Sequence, residues 1–259
     1  MTTLLARILE TKRKELALGR HRRLPAPPAL RPIHLRRAEN EPLRILAEIK
    51  LRSPSAGQLS TRLSVPERAA IYERSGCSMI SVLCDQEFFG GSYENLTLAR
   101  QACNLPILCK EFVIDEQQLD WARAFGADAV LLIARCMDRD SLQRLHQAAL
   151  DRGLLALVEI ANLQEAQSAL DLGLPVIGVN ARDLDTLQMD QARARAVLHA
   201  LPSTTTRIHL SGLKAAQDVE TVSKSGVDAA LIGEALMRLE DPEPLLTAMV
   251  KAAGTPSQG

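Results

Sequence analysis

The segment AVLLIARCMDRDSLQRLHQAALDRGLLALVEI, residues 129–160, sets a helical stretch between two short apolar runs. The runs, 129–134 and 154–160, have the length and composition of strands covered on both faces. Between them Leu142, Leu145 and Ala149 recur at three- and four-residue intervals, the spacing of one helix face. Gly153 follows the last turn, where a left-handed cap favours glycine. Strand, helix and strand in that order join parallel neighbours, because a parallel pair needs a long crossover where an antiparallel pair needs only a turn.

The same rhythm runs outward in both directions. Further strand candidates lie at 44–50, 79–84, 106–110, 175–180, 207–211 and 229–233, which brings the total to eight. Eight alternations of strand and helix favour a closed (β/α)8 TIM barrel, an α/β fold. An open doubly wound sheet is the rival. It would need GxGxxG after its first strand, and LRSPSAG (51–57) lacks that spacing. Ahead of the barrel stand a charged amphipathic helix (about 3–18) and the proline-rich connector LPAPPALRP (24–32), and a last helix covers about 241–252. The expectation is one TIM-barrel domain over 1–259, with the extra N-terminal helical segment in 1–43 and the barrel in 44–252.

Composition narrows the function classes. Among 259 residues, 31 basic side chains balance 31 acidic ones, which argues against nucleic acid as a partner. The locally basic run 12–37 reads as a solvated face. No apolar stretch approaches the ~20 residues of a membrane span, and MTTLLARILETKRKEL lacks a signal-peptide core. Five cysteines without a CxxC pair point to a reducing cytoplasm, and the five histidines show no zinc-ligand spacing with them. Neither metal nor cofactor is expected. Cys84 and Cys109 sit in apolar runs and read as small buried hydrophobes.

Side chains alternate along a strand, so Leu46, Glu48 and Lys50 share one face of 44–50, while Ile45, Ala47 and Ile49 take the other. Barrel enzymes keep their chemistry at the C-terminal strand ends. The last inward positions there are Glu48 and Lys50 on the first strand, Lys110 on the third and Glu159 on the fifth. Asn180, Ser211 and Gly233 end the sixth, seventh and eighth. Burying two lysines and two glutamates at one mouth costs on the order of several kcal/mol unless they pair or meet a ligand, so a site is the better reading. SGL (211–213) and IGEA (232–235) are small-residue turns after the last two strands, where barrels cradle phosphate with backbone N–H groups. Ser53 could add a hydroxyl. Phe88, Phe89 and Phe112 lie just past strand ends, where an aromatic ligand could sit.

These motifs resemble the indole-3-glycerol phosphate synthase family over essentially the full chain. AEIKLRSPSAG (47–57), LCDQEFFGGSYE (83–94), CKEFVID (109–115), GADAVLLI (126–133), LVEI (157–160), IGVNARDLDTLQMD (177–190) and LIGEALMR (231–238) follow the family's order and spacing. LLARILETKRKELA (4–17) is similar to the family's extra N-terminal helix. The resemblance implies a cofactor-free conversion of 1-(2-carboxyphenylamino)-1-deoxyribulose 5-phosphate into indole-3-glycerol phosphate, with loss of carbon dioxide and water. It places catalysis on Glu48, Lys50, Lys110, Glu159, Asn180 and Ser211. Phosphate contacts fall on Ser53, Arg182, Gly212, Gly233 and Glu234, and an aromatic pocket on Phe89, Phe112, Leu131 and Leu184. A small phosphorylated substrate is then the partner, and the chain is expected to be a monomer or weak homodimer.

That chemistry asks for these residue types. Closing the ring needs a cation to protonate the ketose C2 oxygen, a role for Lys110, and another to hold the substrate carboxylate, a role for Lys50. Dehydration needs a base, which Glu159 supplies, while Asn180 orients substrate hydroxyls. Neighbouring acids raise a lysine's pKa and desolvation lowers it, so which lysine donates in which step stays open. The chain departs from the family where HLSG (209–212) replaces a motif carrying glutamate: Leu210 stands in its place. By strand parity His209 shares a face with Ser211 and not with Leu210, so it cannot stand in for the lost acid. Two alternatives therefore remain beside an active synthase: a paralogue acting on a related anilino-sugar phosphate, and a catalytically silent phosphate-binding barrel.

Overall fold

A computed structural model describes residues 3–19, 23–54, 57–59 and 62–254. Eight strands close a parallel barrel: β1 (Arg44–Ile49), β2 (Met79–Leu83), β3 (Ile107–Lys110), β4 (Ala129–Ile133), β5 (Leu155–Ile160), β6 (Val176–Asn180), β7 (Thr206–Leu210) and β8 (Ala229–Ile232). The circle shuts where β1 pairs with β8, Arg44 opposite Ala229 and Ala47 opposite Ile232. Its other edge pairs with β2, Leu46 opposite Met79.

Alternation sorts the strand residues into two layers. Leu46, Met79, Leu108, Leu131, Leu157 and Leu231 fill the barrel interior. Their chain neighbours Ile45, Ala47, Ile80, Cys109, Val130 and Val158 pack outward against the helices. The parity read for β1 is therefore the one adopted. The helices are α1 (Leu4–Gly19), α2 (Val65–Arg74), α3 (Glu94–Ala102), α4 (Glu116–Ala124), α5 (Arg139–Asp151), α6 (Leu163–Asp171), α7 (Gln191–Ala200), α8 (Ala216–Ser223), α9 (Glu234–Met237) and α10 (Glu243–Ala253). Side chains start several of them: Ser64 and Glu67 form a reciprocal capping box on α2, and Asp138 accepts from Ser141 N on α5. Gly153 ends α5 with φ of 73°, the left-handed conformation expected of it.

Strand ends differ from expectation by one residue at most; Gly233 leaves β8 and starts the short α9, which the sequence reading missed. A small hairpin, Arg52–Ser53 against Gly57–Gln58, follows β1. Ser55 and Ala56 of SPSAG lie outside the described residues.

The basic run 12–37 is a solvated face only in part: Arg13, Lys14, Arg23 and Arg36 are exposed, whereas Lys12, Arg31 and Arg37 turn inward. Lys12 is 1% exposed. Arg31 donates to the Leu105 and Arg100 carbonyls at 2.7 and 2.9 Å, and Arg37 to the Ser223 carbonyl at 2.6 Å. The connector follows the N-terminal rim of the barrel, where Asp128 and Asp228, just ahead of β4 and β8, accept from the backbone N–H of Arg31 and Arg37. Leu35 joins the interior core beneath them. These cations satisfy carbonyls at strand and helix ends that would otherwise be orphaned. Arg20 and Arg22 of the run lie outside the described residues. Among those residues no helix is long and apolar enough to cross a membrane.

Candidate active site

A cavity of about 900 Å³ opens at the C-terminal mouth of the barrel. It is lined by every residue singled out above for catalysis, phosphate contact or the aromatic pocket: Glu48, Lys50, Ser53, Phe89, Lys110, Phe112, Leu131, Glu159, Asn180, Arg182, Leu184, Ser211, Gly212, Gly233 and Glu234. Phe88 is not among them; it packs beneath the Arg7 guanidinium, 6.0 Å from its ring centre.

Glu48 organises the floor. Lys110 Nζ donates to its Oε2 at 2.6 Å, and Lys50 Nζ approaches its Oε1 at 2.9 Å. Burial alone would push this carboxyl up, but Lys110 and Lys50 outweigh it and hold the acid ionised, down to about 2. Room for the carboxylate comes from Gly233, where a Cβ would run into Glu48 Oε1. This glycine thus seats an acid as well as making a turn.

Across the cavity Asn180 Nδ2 donates to Glu159 Oε1 at 2.9 Å. The Asn180 carbonyl oxygen in turn accepts from Ser211 Oγ at 2.7 Å and from Arg182 N at 2.9 Å. This chain fixes the amide's orientation and leaves Glu159 as its acceptor. Burial raises the Glu159 pKa above the usual carboxylate range, and Lys110 and Asn180 offset it only in part. Burial also works against charge on Lys110, yet Glu48 and then Glu159 win and hold that ammonium above an ordinary lysine. The second lysine does not make Lys110 a stronger acid in the free protein.

Ser211 reaches the site by a route that strand parity does not give. His209 and Ser211 do not share a face. Leu210 points into the barrel, 1% exposed and belonging to the interior core, paired in register with Asn180 and Leu231. His209 points outward and meets Gln191 of α7. Alternation ends at Ser211, whose φ of 71° is left-handed and turns its hydroxyl back toward Asn180. Leu210 also lies over Gly178, the inward residue of β6, so the place of the family's acid is dry and packed.

Arg182 and Glu234 meet at 3.1 Å on the rim, and Glu234 also holds Arg238 at 2.8 Å. Gly212 follows with φ of 92°. Phe89 and Phe112 stand 6.0 Å apart, ring centre to ring centre, and form one apolar wall with Leu131 and Leu184.

Several lining residues escaped sequence reading. Leu4 and Ile8 bring α1 over the mouth. Beside them Lys12 Nζ sits 2.8 Å from both Glu15 Oε2 and Asp85 Oδ2, and 3.2 Å from Glu111 Oε1. Asp85 also accepts from the backbone of Phe88 and Phe89, and Glu111 from that of Phe112. One buried ammonium thus ties α1 to both aromatic corners. Spacing gave no hint of this, since a lysine on a charged helix normally faces water. Among the described residues no group of three or more His, Cys, Asp or Glu could hold a metal ion.

Comparison with known proteins points to one family. The sequence model described as indole-3-glycerol phosphate synthase matches residues 5–249. The chain is 40% identical over 257 residues to the indole-3-glycerol phosphate synthase of Kineococcus radiotolerans, covering 98% of this chain and 93% of that protein. It is 39% identical over 227 residues to the enzyme of the same name from Mycobacterium leprae, covering 87% and 84%. Among solved structures, a thiamine phosphate pyrophosphorylase from Pyrococcus furiosus superposes with a TM-score of 0.60 at 18% identity, over 82% of this chain and 95% of that one. That last likeness is one of fold alone.

Proposed function

Because the chain belongs to the indole-3-glycerol phosphate synthase family, we propose that its cavity closes the pyrrole ring of 1-(2-carboxyphenylamino)-1-deoxyribulose 5-phosphate to give indole-3-glycerol phosphate. The observation that carries the reading is Glu48 bridging two lysine ammoniums, opposite a Glu159–Asn180–Ser211 chain, within one cavity that has an apolar wall.

The carboxyanilino ring lies against Phe89, Phe112, Leu131 and Leu184, and the phosphate lies toward Ser53, Arg182, Gly212, Gly233 and Glu234. Lys50 pairs with the substrate carboxylate. Lys110 leaves Glu48 to donate a proton to the ketose C2 oxygen as the ring carbon attacks, which neutralises the developing alkoxide. Glu48 keeps the Lys110 ammonium charged and pairs with Lys50 until substrate replaces it as their partner. Loss of carbon dioxide returns the ring electrons. Glu159, its pKa already raised, takes a proton from the sugar C1 as hydroxide leaves C2 with a proton from a lysine, so the pyrrole double bond forms and water departs. Asn180 and Ser211 fix Glu159 and the sugar hydroxyls.

The N-terminal helix and the barrel act as one unit, because Leu4 and Ile8 complete the cavity. The cavity is built within one chain, which suits a monomer or weak homodimer. Free thiols at all five cysteines suit the cytoplasm. The test is to incubate purified protein with the carboxyanilino substrate and follow indole fluorescence. Absence of product at high enzyme concentration rejects the reading.

A further inference from the structure

Next to Gly212, Gln191 in the first turn of α7 and His209 on β7 form a polar pair that none of the roles above uses. Gln191 lines the cavity, and a Cβ at Gly212 would run into its amide nitrogen. Its carbonyl oxygen Oε1 lies 3.1 Å from Nε2 of His209. Its Nε2 donates to no acceptor among the described residues. The backbone beneath is fixed: Asp190 N donates to the Ala181 carbonyl at 2.8 Å, and the Asp190 side chain accepts from Arg193 N at 2.9 Å. Gln191 is therefore anchored to the end of β6 with a free pair of N–H groups at the anion cradle.

His209 decides which way that amide faces. It is 2% exposed, and burial keeps its ring neutral, its pKa pulled down to about 4. A neutral imidazole has a single N–H. With Oε1 facing the ring, Nε2 carries the proton and donates to it, while Nδ1 has no hydrogen-bond partner among the described residues. In this arrangement the oxygen of Gln191 faces His209 and its NH2 faces the cavity.

We propose that Gln191 is a substrate-binding residue, donating an N–H from its side chain to the phosphate monoester end of the substrate above Gly212, and that His209 is a positioning residue holding that amide in register. The inference rests on the phosphate end of the substrate lying at Ser211–Leu213, as in the functional reading above. It adds an amide donor from α7 to a cradle that also holds backbone N–H groups, the Ser53 hydroxyl and Arg182, and hydrogen bonds to an ionised acceptor are among the stronger ones.

The experiment uses the full chain and two readouts: steady-state kinetics on the carboxyanilino substrate, and direct titration with inorganic phosphate. Gln191→Leu should raise KM and weaken phosphate binding about tenfold each, with kcat changing much less. His209→Phe should raise KM severalfold alone and add little to Gln191→Leu. His209→Gln, which can present an N–H at nearly the same place, should restore most of the affinity. Unchanged KM and phosphate binding in Gln191→Leu, with its thermal unfolding intact, overturns the proposal even if His209→Phe fails to fold. If the wild-type chain turns over no substrate yet loses phosphate binding on Gln191→Leu, the functional reading falls and this one stands.

Discussion

At the scale of single residues, the site turns on one carboxylate held between two ammonium groups. Replacing Glu48 by Gln leaves two ammoniums at the mouth with only a weak dipole between them. Removing one partner of a buried charge pair typically costs about 3–5 kcal/mol, so the midpoint of thermal unfolding should drop by several degrees. Turnover should fall at least tenfold, because Lys110 loses the acid it donates to and keeps only the weaker pull of Glu159; unchanged turnover would remove Glu48 from the scheme. Acid titration separates the carboxylates. Glu48, at about 2, stays ionised across any practical assay range. Glu159, raised by burial, gains its proton above the pH of an ordinary carboxylate. The acidic limb of kcat/KM should follow Glu159, with an inflection above that of a free glutamate, and Glu159→Gln should abolish turnover at every pH. An inflection at or below the usual carboxylate range would assign the limb elsewhere. Leu210 gives a third case. It fills space over Gly178 among interior apolar residues, so Leu210→Glu places a third acid in a packed position. The expected result is a lower unfolding temperature with no gain in turnover. A several-fold gain would mean that the chain is adapted to a different anilino-sugar phosphate.

At the scale of elements, α1 is fastened by Lys12. One ammonium faces Glu15, Asp85 and Glu111, and the two barrel acids are buried. Burial lifts the Glu111 pKa to about 7, with Asp85 adding to the rise and Lys12 opposing it. A carboxyl whose pKa is higher folded than unfolded binds more protons in the native state between the two values. Its contribution is complete below the unfolded value, roughly 4.3, and is lost as pH rises through about 7. Thermal stability should therefore decline from pH 5 to pH 8. Glu111→Gln should flatten that slope, and an equally steep slope in the variant would show that other groups set it. Lys12→Met removes the only cation of the cluster and leaves two buried acids facing each other. The unfolding temperature should fall by several degrees, and KM should rise because Leu4, Ile8, Phe89 and Phe112 lose their common anchor. If KM does not move, the cluster is structural only.

At the scale of the whole molecule, what sequence reading recovered and what it missed follow from the same physics. A strand's two-residue period is rigid, so Glu48, Lys110, Glu159 and Asn180 could be placed on the inner face from apolar neighbours alone. The period says nothing once the strand ends. Ser211, with its left-handed φ, reached the site against parity, and the face shared with His209 was misread for that reason. Lys12, Arg31 and Arg37 look like parts of a solvated face in sequence because their partners include backbone carbonyls and acids tens of residues away, which local charge cannot reveal. Gln191 sits on a helix start after an irregular loop, where neither period applies. The pairing of β1 with β8 has a further effect in the cell. These are the earliest- and latest-synthesised staves of the barrel, and their seam lies directly under the catalytic floor. A nascent chain on the ribosome holds Glu48 and its lysines long before Gly233 exists to receive them. Competence arrives only with the final stave, and until then β1 offers an open flank that a folding helper or a neighbouring polypeptide could occupy.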